Sequence, residues 1–468
     1  MKQSRLLIVI KSLTTKEIKE LKAFLQSPFF NRRKSVFQLF LYLIEQWFEL
    51  DLIPTKEGAH QHLFPHAPYE PQRIRQQMSW LLQLIEKYLA TAAFLDRPFE
   101  VDLEIAKVYR QRGLEKQLNY TLRKVADQLE KQPLRDADYF EYNYRVLEEQ
   151  YFQTASKRRM GEQKLQDISD NIDLAFLSRK LRQSCLALSH QAVYSATYHF
   201  GLMDEILKYV EQRKLTEIPA IGLYYHGFKT LTKGDGDQYF PVFKQAILQH
   251  GQAFSNREMR DLYLLAINFC IKKFNEGDWA FGREGLELYQ AGLDSGHLLA
   301  DGILSRFAYR NIVAIGLKLA NFTWVEQFIE QYKSTLPKSH RESMYQFSLA
   351  RLEYERHNYD SAIDHLQKSE YSDLLLNLAA KTLLAKIYFQ IDEIKLLEAH
   401  LEAMQSFIRR KRLMGYHKDN YQNFVRLTKK MLQLNPYDKA ARQVYHQQIE
   451  HSEPLTEKDW LLQQLEEL

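Results

Sequence analysis

The sequence contains little cysteine, glycine or proline, and each shortage excludes a class of structure. Only two cysteines occur in 468 residues, Cys185 and Cys270, so a disulfide scaffold and a thiolate metal site are excluded by number. Each lies in an apolar helical run, which predicts a buried thiol. The 17 glycines and 12 prolines fall below the usual roughly 7% and 5%. This favours long helices joined by short polar connections.

Long apolar runs and strand patterns are also missing. The apolar run at residues 6–10 is stopped by Lys11, so it is too short for a signal-peptide core. No stretch approaches the roughly 20 apolar residues of a membrane span, and we therefore expect a cytoplasmic protein. No alternating β-branched run bounded by Asn-Gly or Asp-Gly occurs, so a sheet is not expected.

Motifs of catalysis and of cofactor binding are absent as well. The chain has no phosphate-binding glycine loop, no nucleophile elbow and no His-Glu-x-x-His helix. The histidines of "HQHLFPH" (His60, His62 and His66) match no zinc spacing, and "KGDGDQ", with Asp235 and Asp237, lacks the remaining ligands of a calcium loop. The sequence thus predicts a non-enzymatic protein without a cofactor, a metal or a small-molecule substrate.

Amphipathic helical segments of about 12–20 residues fill most of the chain, and three of them recur in register. Val313, Ala350 and Ala385 align at spacings of 37 and 35 residues, close to the roughly 34 residues of one class of helical-hairpin repeat. Twelve residues after each anchor, the second helix of the hairpin has its inward position. These inward residues are Val325, Ala362 and Leu397.

This repeat is similar to that of the tetratricopeptide-repeat (TPR) family, in which small residues lie where paired helices approach closely. Ala350 and Ala362 match the small-residue positions, and Pro337 matches the proline that often ends the second helix. Val313 and Ala385 depart from the family, since a glycine is common there. The resemblance implies an all-α fold, a right-handed superhelix of antiparallel helical hairpins (a TPR-like α-solenoid) with an N-terminal helical module.

Four segments follow from this interpretation. Residues 1–97 form the N-terminal helical module, 98–214 divergent helical hairpins, 215–450 TPR-like repeats, and 451–468 an acidic tail or capping helix. The first segment, with "LTTKEIKELKAFLQSPFFN", also resembles the start of bacterial helical-repeat proteins.

The family geometry places the outward face of each first helix in a groove, and the residues there are basic and aromatic. A groove of this composition is suited to an acidic peptide or protein partner. The predicted groove residues are Arg310, Asn311, Lys318, Phe347, Arg351, Tyr354, Lys386, Phe389 and Gln390. The groove lacks the Lys and Asn pattern of the family's clamp for C-terminal carboxylates.

The alternative function is binding of RNA or DNA, because basic residues also occur in clusters. Nine basic residues face two acidic ones up to residue 34, whereas the tail from His451 has five acidic residues and one basic. The 59 acidic residues interspersed along the chain weigh against this alternative. The predicted basic patch consists of Arg32, Arg33, Lys34, Arg409, Arg410, Lys411 and Arg412, and smaller clusters lie at residues 156–159 and 179–182.

Overall fold

The computed structural model describes residues 4–155, 164–193, 196–232, 234, 236–410 and 415–468. The chain forms two compact units, one made from residues 1–133 and 137–176 and the other from 134–136 and 177–468. Both are all-α in their described parts, apart from one small β-hairpin. The division of the sequence into four segments stays a prediction.

The first unit is built from helices whose apolar faces enclose two hydrophobic clusters, one within residues 6–88 and one within residues 103–146. The second helix starts with a capping box: the Thr14 hydroxyl accepts from the backbone N–H of Glu17, whose carboxylate accepts from the backbone N–H of Thr14. Leu39, Leu81 and Ile85 of the following helices are fully buried. The helices are α1 (Arg5–Ser12), α2 (Thr15–Gln26), α3 (Lys34–Ile44), α4 (Lys56–Leu63), α5 (Pro71–Leu95), α6 (Pro98–Gln111), α7 (Glu115–Lys131) and α8 (Ala137–Ala155), with α9 (Leu165–Val193) contributing to both units.

The second unit consists of helices that pack mainly against their neighbours along the chain. Its helices are α10 (Met203–Gln212), α11 (Pro219–Leu231), α12 (Gly236–Gln249), α13 (Asn256–Asn275), α14 (Trp279–Asp294), α15 (Arg306–Lys318), α16 (Phe322–Tyr332), α17 (Arg341–Glu355), α18 (Tyr359–Gln367), α19 (Leu374–Gln390), α20 (Ile394–Arg410), α21 (Gly415–Leu432), α22 (Lys439–Glu450) and α23 (Lys458–Glu467). Between α14 and α15 lies the one β-hairpin of the described residues, β1 (Leu299–Ala300) paired with β2 (Ile303–Leu304). No sheet was expected, and this pair is too short to show a strand pattern in the sequence.

The packing from α15 onward is consistent with a helical repeat. Consecutive helices contact each other in pairs, α15 with α16, α17 with α18 and α19 with α20. The first helices of these pairs also contact in turn, α15 with α17 and α17 with α19. The aligned inward positions of the second helices are all fully buried: Val325, Ala362 and Leu397. The anchors Val313, Ala350 and Ala385 are buried too. Since positions aligned by the repeat are buried alike, α15, α17 and α19 turn equivalent faces outward.

One close contact between helices depends on a glycine that the sequence comparison passed over. At Gly316 of α15, a Cβ atom would lie 2.4 Å from Cγ2 of Val325 on α16. Since real Cβ contacts are not that short, the missing side chain lets the two helices of this hairpin approach closely.

Candidate functional site

Eight of the nine predicted groove residues line one cavity of about 850 Å³, here called the groove pocket. It lies among α15, α17, α19 and α21, and the residues from Leu455 to Glu467 form its remaining wall. The eight are Arg310, Asn311, Lys318, Phe347, Arg351, Tyr354, Lys386 and Gln390. The volume is within the range of sites that take small ligands or short peptide segments.

Two predicted groove residues take positions other than an open outward face. Phe347 is only 4% exposed, so its ring is part of the pocket floor. Phe389 lies outside the groove pocket and packs edge-on against Trp460, with 5.4 Å between ring centroids. Phe389 thus faces a C-terminal residue that covers part of the face that the sequence predicts to be open.

The C-terminal wall is anchored through the apolar side of α23. Trp460 is 7% exposed, and Leu461 and Leu465 are also buried in the core that α19, α20, α21 and α22 share. On the pocket side, the amide of Gln390 donates to the side-chain oxygen of Gln464 at 2.8 Å. The helix is therefore a fixed part of this unit, while its first residues reach into the groove pocket.

Lys386 is the most closely held cation of the groove pocket. Its Nζ lies 2.7 Å from Oε2 of Glu457, and the side chain is only 12% exposed. The same ammonium lies 4.8 Å from the ring of Tyr354 and 5.7 Å from that of Trp460. A cation between two aromatic faces with a carboxylate on a third side combines cation–π attraction with a charge-assisted hydrogen bond.

Glu457 supplies that carboxylate from an unusual backbone conformation. It immediately precedes α23 with φ of +56°, in the left-handed region that residues other than glycine rarely adopt. Burial acts to raise the pKa of its carboxyl, but Lys386, Arg351 and Lys318 outweigh that effect and hold the pKa below its ordinary value. The side chain is still 36% exposed, so solvent reaches the carboxylate.

Arg351 lies in the middle of the groove pocket without a protein partner of its own. Within the described ranges, its guanidinium forms no hydrogen bond or ion pair with a protein acceptor. Burial lowers its pKa, and Arg310 adds repulsion, while Glu457 and Glu355 only partly offset both. Because an arginine stays protonated even so, Arg351 keeps a positive charge that an anion would neutralise.

The described residues of the predicted basic patch are exposed and belong to two different units. Arg32, Arg33 and Lys34 are exposed at the start of α3, where the Arg33 guanidinium lies 4.1 Å from the ring of Trp80. Arg409 and Arg410 are exposed at the end of α20, while Lys411 and Arg412 lie outside the described residues.

Of the smaller basic clusters, only the one at 179–182 lies within the described residues. Residues 156–159 also fall outside the described residues. In the cluster at 179–182, Arg182 pairs with Glu258 at 3.6 Å and with Asp261 at 3.4 Å. That arginine is therefore used within the fold.

Several residues that the sequence offers for metal or thiol chemistry make contacts within the fold or are buried in it. His60 is buried and accepts the backbone N–H of Glu70 at 3.3 Å, and Asp237 pairs with Lys273. Asp235 is outside the described residues, and no group of three potential metal ligands occurs within them. Cys185 and Cys270 are free and buried, as predicted, and burial raises the pKa of both thiols.

In the described part of the chain, no helix combines the length and the apolar character needed to cross a bilayer. Comparisons with protein-family models, with curated proteins and with solved structures gave no match.

The sequence prediction missed Glu457, Trp460 and Tyr421, which complete the groove pocket. A signal for the first was present, because the acidic tail has the charge that a basic groove attracts. No signal indicated that the tail and the groove would meet within one molecule.

Proposed function

We propose that the protein is a non-enzymatic interaction scaffold and that the groove pocket binds an acidic peptide segment of a protein partner. One observation carries the proposal: Arg310, Arg351 and Lys386, from three successive first helices, line the same cavity. The chain's own Glu457 already binds one of these cations at 2.7 Å. A partner's carboxylates would use the same charge-assisted hydrogen bonds.

The proposal includes a TPR-like, right-handed superhelix and a cytoplasmic location. The in-register spacings of 37 and 35 residues and the buried inward positions support the repeat. The two free, buried thiols support the location, because structural disulfides are typical of oxidising compartments.

Aromatic residues beside the cations suit a peptide better than a bare anion. Tyr354, Tyr421 and Phe347 line the groove pocket together with the basic side chains. Tyrosine presents an apolar ring and a hydroxyl that can pair with backbone groups of a bound segment. Binding driven by such exposed and half-buried charges weakens as salt is added.

Fluorescence anisotropy with two labelled peptides tests this function. The probe alternates glutamate with serine, and its control replaces every glutamate with glutamine. We expect the glutamate peptide to bind more tightly. Arg351→Gln should weaken its binding roughly tenfold, as the loss of one charge-assisted hydrogen bond predicts. The matched control Arg409→Gln removes the same charge from an exposed site of the same unit and should leave the affinity nearly unchanged.

Equal binding of the two peptides would refute the proposal, and so would an equal loss of affinity in both arginine variants. Salt-sensitive binding of a labelled RNA oligonucleotide, abolished by changing Arg409 and Arg410 to glutamine, would instead favour the nucleic-acid function.

A further inference from the structure

We infer that Glu457 is an internal competitor that occupies one of two oxyanion positions in the groove pocket, and that an acidic partner peptide displaces it from Lys386. The second position, at Arg351, is open to a carboxylate of the same peptide. This inference rests on the proposed function, since it concerns how that binding is regulated and which peptide motif it selects.

The contacts of Glu457 are those of a ligand in the groove pocket. Its carboxylate enters from the C-terminal wall, whereas Lys386, Tyr354 and Arg351 belong to the repeat helices α17 and α19. The rest of α23 is held by Trp460, Leu461 and Leu465 in the apolar core. The carboxylate can therefore leave Lys386 by a side-chain rotation, without unfolding the helix.

The backbone at Glu457 favours such an exchange. A residue other than glycine at φ of +56° costs about 1–2 kcal/mol. Conformations of this kind persist where the surroundings hold them, and they concentrate at ligand clamps. Here the contact with Lys386 helps to hold the conformation. Because the Glu457 side chain is 36% exposed, water as well as a ligand can compete with its carboxylate for Lys386.

Arg351 gives the second oxyanion position. Its guanidinium lines the groove pocket, and no described carboxylate lies within ion-pair distance of it. Arg351 is on α17 and Lys386 on α19, two helices in contact, and packed helices lie about 8–10 Å apart. In an extended peptide, side chains on one face recur about every 7 Å, so acidic residues two positions apart fit the two cations.

The alternating glutamate–serine peptide used above has this spacing, and it is the probe for two replacements of Glu457, a double variant and a control. Glu457→Gln removes the internal carboxylate while keeping the shape of the side chain. We expect it to bind the glutamate peptide roughly three- to tenfold more tightly than the unmodified protein. The gain is modest because the ion pair between Glu457 and Lys386, which the peptide must otherwise break, is reached by solvent and is therefore weak. Lys386→Gln added to Glu457→Gln should abolish this gain, since the released cation is then missing.

The matched control is Glu466→Gln. Glu466 is exposed on the same helix and does not line the groove pocket, so the change alters net charge equally and should leave the affinity close to that of the unmodified protein. Glu457→Asp is the second variant: it keeps the charge but shortens the side chain by one methylene, which weakens the contact with Lys386. It should give an affinity between those of the unmodified protein and Glu457→Gln.

The outcomes separate this inference from the proposed function. If the unmodified protein prefers the glutamate peptide but Glu457→Gln binds no more tightly, the function stands and the internal competitor is refuted. An equal gain from Glu457→Gln and Glu466→Gln also refutes it, because net charge alone would then explain the effect. If no variant distinguishes glutamate from glutamine, the proposed function and the inference fail together.

Discussion

Two sets of basic residues in this protein differ in how they are placed along the chain. Arg32–Lys34 and Arg409–Arg410 are adjacent in the sequence, and all of these side chains are exposed. Arg310, Arg351 and Lys386 are separated by about one repeat each, and they line one pocket. In an array of helical hairpins, residues one repeat apart come together because equivalent faces of successive helices are stacked. Charge clusters that are local in sequence are therefore a poorer guide to a site here than charges that recur with the repeat.

The largest effect should come from breaking the stacking that brings the cations together. Leu397 of α20 is fully buried, whereas its neighbour Leu396 is 50% exposed. We expect Leu397→Ala to lower the free energy of unfolding by about 2–5 kcal/mol, because it removes packed methyl groups and leaves a cavity. Leu396→Ala should cost within about 0.5 kcal/mol, as is usual for surface changes. Urea unfolding followed by circular dichroism measures both, and equal losses would contradict the predicted register.

A smaller loss is expected where the helices of one hairpin approach most closely. Gly316→Ala places a Cβ against Val325, a buried β-branched residue that cannot rotate away. Overpacking of this kind costs about 1–3 kcal/mol, partly offset by the better helix propensity of alanine. At Gly201 an added Cβ meets nothing within 4 Å, so Gly201→Ala is the control. A Gly316→Ala variant as stable as this control in urea would show that α15 and α16 can move apart freely.

The enclosed and the exposed arginines should respond differently to an apolar replacement. Arg351 carries an unpaired charge in a partly buried pocket. Arg351→Met should therefore leave the free energy of unfolding unchanged or raise it by about 1 kcal/mol. The melting temperature should accordingly stay the same or rise. The same variant should lose binding of the glutamate peptide. Arg409→Met should change neither quantity. A clear destabilisation by Arg351→Met would assign Arg351 a structural role and make the contrast between the two sets weaker.

The smallest expected effect is on the stability of the fold at acidic pH. The pKa of Glu457 is lower in the folded protein than its ordinary 4.5. The pair with Lys386 therefore stabilises the fold above that pH, and its contribution is lost as pH falls through the lower, folded value. Since the carboxylate is 36% exposed, we expect at most about 1 kcal/mol. The difference in melting temperature between the unmodified protein and Glu457→Gln should be full at pH 7 and should shrink as pH falls below 4.5. A difference that does not shrink with acid would mean that the pair is not its source.

The sequence was sufficient for the features that depend on periodicity. The inward positions Val325, Ala362 and Leu397 are spaced by the repeat, and the structure buries all three. The same spacing predicted that Arg310, Arg351 and Lys386 would share a face. Periodicity carries this information because burial of one helix face is the main force that orients a helix.

Features that depend on contacts distant in sequence were beyond such reasoning. Where α23 closes the groove, Lys386 contacts Glu457 and Gln390 contacts Gln464. The two residues of each pair lie more than 70 positions apart in the sequence, and the periodicity of a single helix does not relate them. The tight approach at Gly316 was also missed, because an isolated helical glycine looks the same in sequence whether or not a neighbour fills its space.

The two buried thiols have a practical consequence for studying the groove. Because both cysteines of the chain are buried and their pKa values are raised by that burial, neither presents a reactive thiolate to solvent. A cysteine introduced at an exposed position, for example by Glu466→Cys on α23, would be the single accessible attachment point for a spin label or a dye. With a second introduced cysteine on α15, the two labels would report distances across the groove pocket as ligands arrive, without any need to remove a native cysteine.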